Sequence, residues 1–296
     1  MKFEPNQAIL AILDPLRSPL IIRLVQQMQP SSRKTISQTF AALRTSGQIG
    51  LMPFIPAGYP DLTTTTAILP ELEKAGASLI EIGFPFSDPI ADGPTIQAAF
   101  TYALARKVRV KDVLAAVAQA RKSMTIPMVA MLSYSIVFRY GQERFFTELR
   151  TSGFDGIIIP DLPPPEAQSV CAKVRAAGLD TVLLVSPTTT AQRRKEIADL
   201  CSGFVYYMSL SGITGERAEL PADITTNVRD LKSLTPIPVC VGFGISKPQH
   251  VAQLRHIADG AIVGSAFVRK ITEHMNESPA QIAQAASAYC RELLSR

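Results

Sequence analysis

Three carboxylates stand close together in the most distinctive stretch of this sequence. Glu81 is the only charged residue in the apolar run Leu79–Phe84, and a strand that is apolar on both faces lies inside a parallel sheet. Burial without a neighbouring cation raises a carboxyl pKa and so keeps the group able to donate a proton near neutral pH. Asp88 and Asp92 follow in a proline-rich loop. The pattern predicts acid–base chemistry by carboxylates; the alternative is an ion pair for Glu81 and loop or helix-cap roles for the two aspartates.

Glycine pairs follow the last three predicted strands. They are Gly212-Ile213-Thr214-Gly215, Gly242-Phe243-Gly244 and Gly264-Ser265. Glycine lets backbone N–H groups approach phosphate oxygens closely, and a helix N-terminus adds a favourable dipole. Each pair alone is typical of a plain turn, but three at neighbouring strand ends predict a phosphate site.

The other predicted strand ends are apolar or aromatic and carry no Arg, Lys or His. The residues in this set are Phe54, Met131, Leu132, Tyr134, Tyr206, Tyr207 and Phe243. They are either core residues or the wall of a pocket for a flat aromatic substrate. The absence of basic side chains disfavours Schiff-base and histidine chemistry and leaves the carboxylates to move protons.

A regular alternation of helices and strands begins at Thr35. Apolar runs rich in Val, Ile and Leu predict eight strands, as in a sheet covered on both faces, at residues 51–56, 79–84, 127–133, 155–160, 181–186, 204–210, 238–242 and 260–263. The predicted fold class is therefore α/β, a (β/α)8 TIM barrel, with a doubly wound sheet as the alternative. Residues 34–296 would form the catalytic barrel, preceded by an extension, residues 1–33, that is helical or partly disordered.

The composition favours a cytoplasmic protein that binds neither nucleic acid nor membranes. The net charge of +5 includes no basic block longer than Arg193-Arg194-Lys195, which is typical of a solvated helix face. Four scattered cysteines and three histidines show no metal-ligand spacing, so we expect reduced thiols and no metal site. The sequence shows neither a membrane-spanning apolar run nor a signal-peptide pattern.

Several motifs resemble those of the tryptophan synthase alpha chain family. The most specific is Ile80-Glu81-Ile82-Gly83-Phe84-Pro85-Phe86-Ser87-Asp88-Pro89-Ile90-Ala91-Asp92-Gly93-Pro94. The others, in the family's order, are residues 53–60, 160–163, 211–215, 242–246 and 264–265. The resemblance covers the chain from about residue 36 to its end.

The resemblance implies a lyase that cleaves indole-3-glycerol phosphate to indole and glyceraldehyde 3-phosphate. Glu81 would protonate indole C3 and accept the glycerol hydroxyl proton, and Asp92 would bind the indole N–H. Tyr206 would be the third catalytic residue and, like Phe54, matches a position of the family's indole pocket. The remaining positions are Phe54, Met131, Thr214 and Phe243 for substrate binding, Gly215, Gly244, Gly264 and Ser265 for the phosphate, and Asp88 with Thr214 for loop closure and partner signalling.

The same resemblance implies a partner, the tryptophan synthase beta chain, in an alpha2-beta2 heterotetramer. Pyridoxal phosphate would belong to that partner, and no cofactor is expected in this chain. Ser133-Tyr134-Ser135 departs from the Tyr-Tyr-Asn or Tyr-Ala-Asn usual in the family and predicts a wider pocket wall. Two alternatives are a stand-alone lyase that releases free indole and a weakened paralogue that binds a phosphorylated ligand and regulates a partner.

Overall fold

Eight parallel strands pair in chain order and close into a barrel, which confirms the predicted (β/α)8 TIM fold. The structure is a computed structural model and describes residues 33–89, 92–208, 223–242 and 244–295. The strands are β1 (Gly50–Pro56), β2 (Ile80–Gly83), β3 (Met128–Met131), β4 (Gly156–Ile158), β5 (Asp180–Val185), β6 (Val205–Met208), β7 (Val239–Gly242) and β8 (Gly260–Val263).

Helices alternate with the strands, and those that follow β1 surround the barrel. Those in the described ranges are α1 (Ile36–Ser46), α2 (Leu62–Lys74), α3 (Pro94–Ala105), α4 (Val110–Arg121), α5 (Tyr134–Tyr140), α6 (Gln142–Thr151), α7 (Pro164–Ala176), α8 (Ala191–Leu200), α9 (Ile224–Leu234), α10 (Pro248–Leu254), α11 (Ser265–Glu273) and α12 (Pro279–Leu294). No helix in these ranges combines the length and hydropathy needed to cross a membrane.

Two helices, α5 and α11, are additional to the predicted alternation of strands and helices and carry no clear signal in the sequence. Helix α5 has only seven residues, too few for a clear helical period. Helix α11 begins directly after β8, and its N-cap is Gly264, without a side-chain capping bond. Because the usual Ser, Thr, Asp or Asn start signal is absent there, the sequence gives no mark of the boundary.

Helix α1 lies under the amino-terminal end of the barrel. Its start is fixed by a capping box in which Thr35 and Gln38 satisfy each other's backbone N–H groups, an arrangement that stabilises helix N-termini. Ile36 and Phe40 are buried among the inward-facing residues of the strands. The ring centroids of Phe40 and Phe204 are 6.0 Å apart.

The strand register brings the predicted chemical residues together at the opposite, carboxyl-terminal end. Phe54 on β1 pairs with Glu81 on β2, which pairs with Val129 on β3. In barrels of this kind the active site lies at that end. The predicted extension, residues 1–33, lies outside the described residues except for Arg33, and its role stays a prediction.

Candidate active site

Glu81 is a buried acid at the centre of the carboxyl-terminal end. Its side chain is 1% exposed, and within the described residues its Oε2 atom has no hydrogen-bond partner. Burial, with a smaller contribution from the Asp92 charge, raises the pKa of Glu81 to about 8. A carboxyl paired with a cation would show the opposite shift. Glu81 is therefore protonated at neutral pH and has a free oxygen for a ligand.

Asp92 stands beside Glu81 in the loop that follows β2. It is 6% exposed, and burial raises its pKa to about 6. Its backbone is fixed by two bonds, from its own N–H to Pro89 O (3.1 Å) and from Gln97 Nε2 to its carbonyl oxygen (2.7 Å). The N-cap of α3 is Gly93, so Asp92 is not the helix cap. At neutral pH Asp92 is mainly ionised while Glu81 is neutral, which gives the pair two different chemical roles.

Tyr206 lies across the barrel from β2 and is close to both carboxylates. Burial first, and then the charges of Glu81 and Asp92, raise the pKa of Tyr206 well above its ordinary value. The tyrosine ring packs over Gly242 of β7, where any Cβ would overlap it. Tyr206 is thus a neutral aromatic residue, and its ring fits in this position because Gly242 has no side chain. Tyr207 lies on the opposite face of the strand, as alternation requires, and belongs to the outer core.

Phe54 supplies an aromatic wall next to Glu81. Its ring lies against Phe100 of α3, with centroids 6.3 Å apart, and occupies the space beside Gly83. Gly264, at the end of β8, is close to the Cβ atom of the same residue: a Cβ at position 264 would lie 4.0 Å from Phe54 Cβ. Phe54 therefore stands between the carboxylates and the glycines after β8.

A cavity of about 430 Å³ opens beside Asp92. Its wall is mainly apolar and includes Phe84, Phe100 and Met131. Asp88 also lines the cavity; it is exposed, and its Oδ2 accepts a hydrogen bond from Ser87 Oγ (2.6 Å). The cavity thus offers a flat apolar ligand a place next to a carboxylate.

The predicted phosphate side is formed by the ends of β7 and β8, which are neighbours in the barrel. Gly244 has a φ of +80°, a conformation that favours glycine over any other residue. Gly264 precedes Ser265, the first residue of α11, and no side chain caps this helix. The uncapped N–H groups and the helix dipole make this end suitable for an anion. Thr214, Gly215 and Phe243, which the sequence also assigned to the site, lie outside the described residues.

One polar contact at the outer end of the cavity is not apparent from the sequence. Ser133 Oγ donates to Asp161 Oδ2 (2.6 Å), and the N–H of Tyr134 donates to Asp161 Oδ1 (2.7 Å). Ser133 and Asp161 are 28 positions apart in the chain but follow the neighbouring strands β3 and β4. Tyr134 begins α5 and its hydroxyl bonds with Gln142, so Tyr134 does not belong to the aromatic wall around Glu81.

Comparison with known proteins gives one consistent match. A family model described as tryptophan synthase alpha chain matches residues 40–295. The chain is 44% identical over 261 residues to the tryptophan synthase alpha chain of Chloroflexus aggregans, across 88% of this chain and 97% of that relative. It is 44% identical over 264 residues to the tryptophan synthase alpha chain of Prochlorococcus marinus, across 89% of this chain and 95% of that relative.

Solved structures agree with this match. A tryptophan synthase A-subunit from Pyrococcus furiosus superposes with a TM-score of 0.77 at 36% identity, covering 84% of this chain and 98% of that one. Tryptophan synthase from M. tuberculosis in its aminoacrylate-bound form superposes with a TM-score of 0.76 at 33% identity, covering 89% of this chain and 100% of that one.

Proposed function

The chain belongs to the tryptophan synthase alpha chain family, and we infer that it performs the family's lyase reaction. That reaction is the retro-aldol cleavage of indole-3-glycerol phosphate to indole and glyceraldehyde 3-phosphate. The observation that carries the assignment to residues is the pairing of a neutral buried acid, Glu81, with an ionised neighbour, Asp92.

Glu81 acts first as the acid. Its proton goes to indole C3, which makes the ring cationic at its nitrogen, and the resulting Glu81 carboxylate takes the proton of the hydroxyl on the adjacent glycerol carbon. The bond between that carbon and C3 then breaks, and its electron pair returns to the ring. The substrate gains one proton at C3 and loses one from the hydroxyl, so the products are neutral indole and an aldehyde. A raised pKa suits a group that must give and then accept a proton near neutral pH.

Asp92 stabilises the charge that develops on the ring. Its carboxylate accepts a hydrogen bond from the indole N–H, and that bond strengthens as the nitrogen becomes positive. Tyr206 and Phe54 hold the ring from two sides, with Met131 at the cavity wall. Gly244, Gly264 and Ser265 bind the phosphate through backbone N–H groups and the dipole of α11.

The family's partner is the beta chain, and we propose that this chain joins it in an alpha2-beta2 heterotetramer in the cytoplasm. Asp88 lies on the loop after β2 at the cavity, where a docked partner would contact it; the family resemblance assigns Thr214 to the same role. The pyridoxal phosphate belongs to the beta chain in this proposal, and the alpha chain uses only its own side chains. Docking would hold the loops closed and exclude water from the carboxylates.

The test is the turnover of indole-3-glycerol phosphate by the unaltered chain and by Glu81→Gln. The amide keeps the shape of the side chain but cannot donate a proton to carbon, so turnover should fall by about 10²- to 10⁴-fold. Asp92→Asn should do less damage because its amide oxygen still accepts the N–H bond. Near-normal turnover by Glu81→Gln with bound substrate would contradict the role of Glu81.

The same assay with and without a beta chain tests the partner. We expect the beta chain to increase turnover and to slow hydrogen exchange in the loop that carries Asp88. Turnover that is unaffected by the beta chain would indicate a stand-alone lyase. Phosphate binding without any turnover would indicate a regulatory protein.

A further inference from the structure

Ser246, two residues beyond the Gly244 turn, has both of its backbone groups bonded by side chains from separate helices. Its N–H donates to Nδ1 of His250 on α10 (3.2 Å). Its carbonyl oxygen accepts a hydrogen bond from the hydroxyl of Tyr289 on α12 (2.8 Å). His250 is 2% exposed and Tyr289 is 7% exposed. Loop backbone usually bonds with water at the surface, whereas this peptide segment is held from the interior.

The ring of Tyr289 also contacts α11. Its centroid is 4.9 Å from that of Phe267, in an edge-to-face arrangement. Phe267 lies in the first turn of α11, is fully buried, and donates its N–H to Gly264 O (2.9 Å). Tyr289 therefore bonds to the loop after β7 through its hydroxyl and packs on the start of α11 through its ring.

We propose that Tyr289 and His250 are positioning residues for the phosphate site. They hold the loop at Gly244 and the N-terminus of α11 at a fixed separation, so that N–H groups from both converge on one phosphate group. The proposal rests on the proposed function, because it takes Gly244, Gly264 and Ser265 as the phosphate-binding residues. Neither positioning residue needs to contact the substrate; both act through Ser246.

Two properties of this loop make external support necessary. Gly244 lacks a side chain and has a left-handed conformation, so the turn is not stiffened by its own packing. Anion recognition by backbone N–H groups depends on donor–acceptor distances and angles within a narrow range. A small displacement of the loop weakens several bonds to the phosphate at once, whereas the carboxylates on the β2 side are unaffected.

The experiment compares substitutions that remove one hydrogen bond each. Tyr289→Phe removes only the hydroxyl and keeps the ring against Phe267. His250→Leu removes the acceptor for Ser246 N–H, and His250→Asn restores it, because Asn Oδ1 takes the place of Nδ1. Tyr140→Phe is the control, since it removes a tyrosine hydroxyl that bonds with Glu148 on α6, away from β7 and α11.

Each variant is assayed for KM and kcat with indole-3-glycerol phosphate, for the Kd of inorganic phosphate by calorimetry, and for thermal unfolding. Tyr289→Phe and His250→Leu should each raise KM and the phosphate Kd by about 3- to 10-fold, the effect of one lost hydrogen bond. Their kcat should stay within about twofold, as expected when binding common to the ground and transition states is lost. His250→Asn and Tyr140→Phe should match the unaltered chain.

The outcomes separate this proposal from the proposed function. An unchanged phosphate Kd in both Tyr289→Phe and His250→Leu would overturn it, whatever happens to the melting temperature. A lower kcat together with a lower melting temperature, at constant KM, would also overturn it, because that result indicates a structural role alone. Cleavage by an unaltered chain that does not bind phosphate would overturn the positioning role and leave the lyase intact. Phosphate binding with the expected pattern, but no cleavage, would support the positioning role and contradict the lyase.

Discussion

The ring of Phe54 lies across Gly83, in the space where any larger residue at position 83 would place its Cβ. The same Cβ would lie 3.0 Å from Phe100 Cζ. Gly83 is two residues beyond Glu81 on the same strand, so both face the barrel interior. The absence of a side chain at position 83 therefore sets where the aromatic wall stands relative to the acid.

Gly83→Ala should displace the Phe54 ring, lower kcat/KM strongly and leave the chain folded. The added methyl group must push the Phe54 ring away from its position, and such overpacking costs about 1–3 kcal/mol of stability. We expect kcat/KM for indole-3-glycerol phosphate to fall by about 10-fold or more, since small misplacements in a site have large effects on rate. Steady-state assays and urea unfolding of the same preparation measure both.

A second substitution serves as the control. In Phe54→Leu the smaller leucine side chain leaves room for a methyl group at position 83. The stability loss in the double variant should therefore be smaller than the sum of the two single losses, as for residues in contact. Additive losses would mean that the Phe54 ring is not what the methyl group displaces.

The stability of the chain should fall as pH rises through the range set by Glu81. Burial raises its pKa from 4.5 to about 8. Between these values the unfolded chain has released a proton that the folded chain still holds, so a higher pH favours unfolding. The free energy of unfolding should decline from about pH 4.5 to about pH 8 and then level off.

Glu81→Gln isolates this contribution. The variant should be more stable than the unaltered chain by a margin that grows with pH and is largest above about pH 8. A smaller decline should remain below about pH 6, because burial also raises the pKa of Asp92. Denaturant titrations across this range check both parts; a destabilised Glu81→Gln at high pH would point to a favourable ion pair instead.

The pH profile of kcat/KM should be bell-shaped, with its maximum between the two carboxyl pKa values of about 6 and about 8. Activity needs ionised Asp92 and protonated Glu81, although the apparent values belong to the coupled pair. Asp92→Asn should lose the acid limb and shift the alkaline limb to lower pH, because the Asp92 charge helps to raise the pKa of Glu81. The substrate phosphate also titrates near pH 6, so an acid limb that persists in Asp92→Asn would belong to the substrate.

A negative charge at the phosphate site should weaken substrate binding without unfolding the chain. Gly244→Asp and Ser265→Asp place a carboxylate where the phosphate is proposed to bind, and like charges repel. The matched controls are Gly244→Asn and Ser265→Asn, which have the same shape and no charge, and Asn tolerates the positive φ at position 244. Each Asp variant should show a KM well above that of its Asn control; equal values would move the phosphate site elsewhere.

The sequence predicts the barrel and the buried acid because both depend on local patterns. The alternation of apolar strands with helices marks the eight units, and a lone charge in an apolar strand marks Glu81. Local patterns do not show which face of a doubly apolar strand points inwards, so only the family resemblance separates Tyr206 from Tyr207 in the sequence, whereas in the fold the two lie on opposite faces of the strand. The bond between Ser133 and Asp161 depends on the pairing of neighbouring strands, and no local pattern encodes it.

The helix boundary at Gly264 carries no sequence signal, for a reason connected with its proposed function. A capping side chain would make the start of α11 visible in the sequence, but it would also occupy the N–H groups that a phosphate needs. The anion-binding end of a helix thus lacks the signal by which helix starts are recognised. The proposed roles of His250 and Tyr289 likewise cannot be predicted from the sequence, since each side chain bonds to a backbone group of Ser246.

Helix α1 closes the barrel at its amino-terminal end with Ile36 and Phe40, so within the part of the chain that the structure describes the active site opens towards the carboxyl-terminal end. Substrate enters and both products leave past the loops at the carboxyl-terminal end. Whatever rests on that end, a closing loop or a docked beta chain, therefore governs admission and release together. Indole formed next to Glu81 would leave on the side where the beta chain is proposed to dock, because helix α1 blocks the opposite end of the barrel.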